Sequence, residues 1–392
     1  MSGLSDESGS PGPYARPVTE RIQEIVAGLP GLKGVTGVCA VADERVARGD
    51  AAFVADLGVA LARAYGGAEP LRQYRSVFDH LLRLLVTTPG SENVRQALRL
   101  VSSPEAADRR RDRYAASLLA SCRRPEELAV AFSGHASEEL RACLVHELVL
   151  RGVAVAEEPG IARWATSPHW RYHPLGWLPL TLSGLEEGAD LPSHSLSGSS
   201  HSMPYGPSEG SPYRGTGGVR VPSAVEVTTP EQAAAMGSAV ANWAEESNGL
   251  IEARVFGLAG PLDAGAVPGA LLTLGLESLA GAGKKKAVLS VAACPPARAW
   301  RVLFAAASTG GAYNSGCHGA YGRLAAWQSL AALAGVADGA DAAEAEARVS
   351  ECAWFGFDAA TDWFERVAWD IGLAALSPDG RRLAVLAATD TD

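Results

Sequence analysis

Residues 367–387 read VAWDIGLAALSPDGRRLAVLA. Two apolar runs, Val367 to Leu376 and Arg382 to Ala388, flank the four residues Ser377-Pro378-Asp379-Gly380. Proline presets one turn position and glycine accepts backbone angles that other residues resist, so SPDG suits a tight turn between paired strands. The end of the chain is therefore a β-hairpin, and its second half carries a sheet rather than helices alone. Pairing across the turn brings Asp370 and Asp390 toward the same end of the hairpin, where two carboxylates can serve as a metal or acid–base pair. A solvated tail is the favoured reading for Asp390 and Asp392.

Upstream, residues 219–392 alternate strand and helix signals. Val219 to Val227 reads as a short strand, and Thr229-Pro230-Glu231 opens a helix running to about Glu246. Leu250 to Leu258 alternates as a strand, and Lys286 to Cys294 reads as a buried one. Helices are expected from Pro295-Pro296 through Phe304, over Tyr321–Ala334 with Gly335 as terminator, and from Ala340 to about Cys352. This makes a mixed α/β domain with a sheet of four or five strands.

Residues 18–166 read differently, as an irregular all-α domain. Asp50 caps Ala51–Tyr65, where Phe53, Leu57, Leu61 and Ala64 share a face and Gly66-Gly67 ends the helix. Pro70 starts the next, with Tyr74, Val77, Leu81, Leu84 and Leu85 as its apolar stripe. Ser91, Ser103 and Ser137 stand where later N-caps fall, and no fixed-period repeat is evident. Residues 167–218, dense in Pro, Gly and Ser, read as the connection between domains, and residues 1–17 as a disordered tail. The fold class is α+β.

The chain has 392 residues with a formal net charge of -10 and 47% hydrophobic residues. That composition is globular, and its acidity argues against DNA and anionic membranes as partners. No basic-then-apolar leader and no spanning-length apolar run occurs, which points to a cytoplasmic protein. The six cysteines are scattered without a CxxC, so neither a zinc ribbon nor a disulfide framework is indicated. His169, His173, His194 and His201 with Glu186, Glu187 and Asp190 could supply metal ligands, and the spacing of the first two suits one helical face, but Pro168 and Pro174 disfavour a helix there and the second pair lies in the loop, so surface histidines are the favoured reading. Gly281–Lys286 lacks the Ser or Thr of a phosphate loop. The arginines at 109, 110, 111 and 113 read as a solvated face. No metal and no cofactor is expected.

Two candidate sites remain. The loop Ser308–Gly322, STGGAYNSGCHGAYG, leads into a helix N-terminus, where backbone amides and the helix dipole can hold an anion. Its candidate ligand-binding residues are Gly310, Gly311, Ser315, Gly316, His318, Gly319 and Arg323, with Asp370 as a further polar group. Cys317-His318 sits within it, although a nucleophile and its base are rarely sequence neighbours. The second candidate is the aromatic stretch before the hairpin, where Trp354, Trp363 and Trp369 offer anchors for a partner protein.

The stretches TGGAYNSGCHGAYGRLAAWQSLAALAG and WFERVAWDIGLAALSPDGRRLAVLAATDTD, with HPLGWLPL and LPSHSLSGSSHSMPYGP, resemble a family of unknown function from high-GC actinomycete-type bacteria. The resemblance implies a bacterial, cytoplasmic protein and supplies no reaction or catalytic residue. The first functional expectation is a non-catalytic protein that scaffolds or neutralises another protein. The alternative is an enzyme or small-anion sensor built on the Gly-rich loop.

Overall fold

The structure is a computed structural model and describes residues 18–67, 69–134, 136–201, 211–213, 221–281, 288–312, 314–364 and 369–390. The expected tail 1–17, the lysines 284–286, Met203, Tyr205 and Asp392 lie outside these residues. The chain forms two compact units. One holds the residues up to Arg111 with Ser133–Ser137 and Ser195–Gly198; the other holds Asp112–Phe132, Glu138–His194 and Ser199–Asp392. The division thus falls within the helix Arg109–Cys122, well before the composition change at 166.

The first unit is helical, with Val18–Gly28, Thr36–Ala47, Ala51–Tyr65, Arg72–Thr87 and Ser91–Val101. The Asp50 carboxylate accepts from the Phe53 N–H at 3.2 Å, so the expected cap starts the central helix. That helix buries Phe53, Leu57 and Leu61 against Tyr74, Val77, Leu81 and Leu85 of its neighbour. Burying each such side chain is worth about 1.5–3 kcal/mol, which is what holds short helices together. Arg111 is not solvated as its run suggested. Its guanidinium lies 4.1 Å over the Phe78 ring and donates to the Tyr74 hydroxyl and the Ala106 carbonyl.

The second unit carries the sheet. Its strands follow the small pair β1 (Ser193–Ser195) and β2 (Gly198–Ser200). They are β3 (Ser211–Pro212), β4 (Ala224–Glu226), β5 (Leu250–Leu258), β6 (Leu289–Cys294), β7 (Ala353–Ala359), β8 (Trp369–Leu376) and β9 (Arg382–Asp390). They form one seven-stranded sheet in the order β3-β6-β7-β8-β9-β5-β4, every pair antiparallel. The hairpin β8–β9 stands where SPDG places it. The sheet exceeds four or five strands because β7, read only as an aromatic cluster, is a strand, and the two-residue β3 joins the edge. The helix expected from Thr229 to Glu246 is two, Pro230–Met236 and Ala241–Glu246, the first with Thr229 and Gln232 in a capping box.

Side chains alternate between the two faces of the sheet. One face packs Phe256, Leu258, Leu383, Val385, Phe355 and Phe357 against Val267, Leu271 and Leu279 of the segment after β5. The other face meets the helices Pro296–Thr309 and His318–Ala334. These two helices lie against each other, and the second also packs on Glu138–Leu150, which places the Gly-rich loop inside the unit. No helix among the described residues is long and apolar enough to cross a membrane.

Candidate functional site

The helix His318–Ala334 has no amphipathic stripe because neighbours surround most of it, and its polar residues Arg323 and Ser329 are buried with the apolar ones. Arg323 is fully shielded from solvent. Its Nε donates to Glu186 Oε1 at 2.6 Å and its Nη2 to Glu186 Oε2 at 2.7 Å. Nη2 also reaches the Thr181 carbonyl at 2.8 Å, and Nη1 reaches the Pro179 carbonyl at 2.9 Å and His146 Nδ1 at 2.8 Å. A guanidinium has five N–H donors, and all five are used. His146 Nε2 donates to the Leu175 carbonyl at 2.9 Å, which leaves Nδ1 as an acceptor and the ring neutral. Burial and the adjacent Arg323 charge push the His146 pKa down to about 3, in keeping with that tautomer.

These contacts change the reading of residues 174–186. The segment was expected to be a connection; its carbonyls and Glu186 instead form a cage for one buried charge. Glu186 is itself held by the Ser183 N–H at 2.8 Å, in a capping box, and by Trp327 Nε1 at 2.8 Å. An arginine without these acceptors would be too costly to bury.

The N-terminus of the same helix is filled from within. Glu147, fully buried, accepts from the Gly319 N–H at 2.7 Å and the Ala320 N–H at 3.3 Å, and pairs with Arg151 Nη1 at 2.6 Å. A Cβ on Gly319 would meet the Glu147 carboxylate at 2.8 Å. The anion that the helix dipole favours is therefore the chain's own. Gly310, at φ +86°, ends the preceding helix, and a Cβ on Gly316 would strike the Ser308 carbonyl at 2.1 Å. The Ser315 carbonyl accepts from Asn242 Nδ2 at 3.3 Å. His318 has φ +61° and is half-buried beside Tyr114; desolvation and the Arg113 charge push its pKa down to about 4.

Asp390 pins the other end of this loop. Its carboxylate accepts from the Ala312 N–H at 2.7 Å, Asn314 Nδ2 at 3.2 Å and the Ser247 hydroxyl at 2.8 Å. A Cβ on Gly311 would lie 2.0 Å from Asp390 Oδ2. Asp390 is thus not a solvated tail residue but fully buried. Asp370 does reach the same end of the hairpin, yet its register partner is Thr389, and Asp390 stands opposite Trp369. Neighbouring positions on a strand face opposite ways, so the two carboxylates lie on opposite faces of the sheet.

The C-terminal aromatic residues are mostly core. Trp354 is 2% exposed and donates to the Val349 carbonyl at 2.8 Å. Trp363 packs against the cluster beneath the sheet, and Trp369 is half-buried. Among the described residues no three His, Cys, Asp or Glu side chains converge as a metal ion requires.

An exposed feature that the residue-type reading passed over lies in Pro168–Tyr172. This one-turn helix starts on a proline and stops before Pro174. Trp170 anchors it, stacked on His146 at 5.2 Å and edge-on to Trp164 at 5.5 Å. Tyr172 points outward, 84% exposed. It lines a cleft of about 380 Å³ with Glu138, Pro168, His173 and Pro174. His173 Nε2 donates to Glu139 at 3.3 Å while its Nδ1 accepts from the Leu175 N–H at 3.2 Å. Glu139 further accepts from Arg113 Nε at 3.1 Å and the Tyr321 hydroxyl at 3.1 Å. Burial would raise the Glu139 carboxyl; the hydrogen bonds from His173, Arg113 and Tyr321 outweigh it and hold the group at about 2.

Four of these residues had signals in the sequence. Ser183 and Glu186 have capping-box spacing, and His146-Glu147 interrupts an otherwise apolar run. Tyr172 had only its place among prolines. No curated protein and no solved structure matches the chain. A family model covers residues 36–392, nearly the whole length, and the chain belongs to that family of unknown function, DUF6183.

Proposed function

We propose that the protein works by binding another protein, as a scaffold or neutralising partner, through the cleft beside Tyr172. One observation carries the reading. Tyr172 is 84% exposed on a segment that Trp170 locks into the core, so a large aromatic side chain is held in water on a rigid base. Such a side chain gains most when a partner covers it, since tyrosine offers wide contact area for little rotamer entropy.

The polar groups of the unit support binding over chemistry. Arg323, Glu147, Glu186 and Asp390 are spent on internal bonds, and both nitrogens of His146 and of His173 are engaged. A general base needs a free lone pair within reach of substrate; both nitrogens of each ring are in use, and these carboxylates are buried and accept bonds from the chain's own groups. The partner site moves accordingly, from the C-terminal tryptophans to the 168–174 segment.

The test is affinity isolation of the tagged full chain from its own host, with Tyr172→Ala and Tyr172→Phe alongside. The reading expects a polypeptide that co-isolates with the unmodified chain and with Tyr172→Phe and is lost with Tyr172→Ala. It is overturned if nothing co-isolates, or if Tyr172→Ala retains the partner.

A further inference from the structure

We infer that Arg113 and His318 form a binding site for a phosphate group, a reading that does not depend on the cleft at Tyr172. Two helices of the second unit supply it. Arg109–Cys122 carries Arg113 and Tyr114, and His318–Ala334 carries His318 and Tyr321 on one face, one turn apart. The Arg113 guanidinium lies 3.7 Å over the Tyr321 ring, and the Tyr114 ring lies 5.6 Å from that of His318. The two contacts interlock, so guanidinium and imidazole are neighbours.

Both side chains have polar atoms to spare. Arg113 spends its Nε on Glu139 at 3.1 Å, and neither Nη group makes a hydrogen bond among the described residues. His318 makes none through either ring nitrogen among the described residues. This sets the pair apart from Arg323 and His146, whose donors and acceptors are all engaged. The Arg113 side chain is 22% exposed and His318 is half-buried, so solvent reaches both. Among the described residues His318 is also the one non-glycine residue with a positive φ. Such a backbone is strained and persists where its surroundings hold a side chain in one place.

The free donors select the ligand. The Nη end of a guanidinium offers parallel N–H groups to two oxygens. Desolvation and the Arg113 charge keep the His318 ring neutral near pH 7, so it adds an N–H from a second direction. Three donors suit the peripheral oxygens of a phosphate, whereas the fork alone fills a carboxylate. Glu139 takes only the Nε side, and its charge is shared with His173 and the Tyr321 hydroxyl. It orients the guanidinium and leaves the other end open. The helix N-terminus plays no part, since Glu147 occupies the Gly319 and Ala320 N–H groups.

The experiment is calorimetric titration of the full chain with O-phosphoserine and with a short blocked peptide bearing one phosphoserine, against the glutamate form of each. The phosphorylated forms are expected to bind, and the glutamate forms at least about 10-fold more weakly. A peptide more than about 3-fold tighter than free phosphoserine makes the source a phosphorylated protein side chain, and a smaller difference makes it a small phosphomonoester. Arg113→Gln should weaken phosphoserine binding at least about 10-fold, and Arg113→Lys and His318→Gly about 3- to 5-fold each. His318→Gly relieves the positive φ, so it decides the matter if Arg113→Gln fails to fold. The imidazole NMR signals that vanish in His318→Gly should shift when phosphoserine is added to the unmodified chain. Phosphoserine binding no tighter than glutamate, undiminished binding by a folded Arg113→Gln or by His318→Gly, or unmoved His318 signals overturns the inference.

Discussion

Arg323 and Glu186 meet in a two-pronged ion pair, 2.6 Å from Nε to Oε1 and 2.7 Å from Nη2 to Oε2, with neither side chain touching solvent. The pair ties the helix His318–Ala334 to the 174–186 segment, and two backbone carbonyls and His146 complete the guanidinium's set of acceptors. A lysine has three donors and no planar fork, so Arg323→Lys leaves part of the cage unpaired. The expected cost is about 3–5 kcal/mol, read as a lower urea midpoint. Arg323→Met with Glu186→Leu should not restore the loss, because the Pro179 and Thr181 carbonyls and Trp327 Nε1 then lack partners.

Gly311 and Asp390 should behave as a coupled pair. Gly311→Ala forces the carboxylate off the Ala312 N–H and should cost about 1–3 kcal/mol. In an Asp390→Ala background the same change should cost much less, since the clashing group is gone. Equal costs in the two backgrounds would show that the loop does not need this glycine for the approach of Asp390.

Stability should fall in acid, and the groups responsible can be separated. His146 and His318 have folded pKa values near 3 and 4, below the ordinary histidine value of 6.5. Below pH 6.5 the unfolded chain takes up protons that the folded one refuses, so stability present above 6.5 is lost as pH falls toward 4 and then 3. Glu139, depressed from 4.5 to about 2, contributes stability present above 4.5 and lost between there and about 2. His318→Asn removes one group and suits the φ of +61°. Its urea midpoint should vary less between pH 6.5 and 4 than that of the unmodified chain.

Truncating two aromatic residues should have opposite consequences. Trp354→Ala opens a core cavity and should cost about 3–5 kcal/mol in urea unfolding. Tyr172→Ala removes a side chain that water already surrounds, and its unfolding midpoint should correspond to a change within about 0.5 kcal/mol. A large loss for Tyr172→Ala would make it a structural residue.

Local rules read much of the fold from the sequence. Asp50, Thr229 and Gly335 mark helix ends because caps act within one turn, and the β8–β9 hairpin follows from four turn residues. The site was less legible. A helix N-terminus preceded by glycines looks the same whether an outside anion or Glu147 fills it, and that carboxylate lies 172 residues away in sequence. Asp370 and Asp390 could be placed at one end of a hairpin, but a one-residue register decides which face each takes. Tryptophan content marks burial and recognition alike, so the place of Trp354 in the core shows only once packing is known.

The most direct test of the binding role replaces Tyr172 by the photo-reactive benzoylphenylalanine in the full chain and irradiates cells of the host. A second chain carries the probe at Val225, which is 67% exposed on the edge strand β4. The account predicts one discrete adduct from position 172, with a single partner polypeptide, and none from position 225. An adduct from 225 alone, or from neither position, would contradict it.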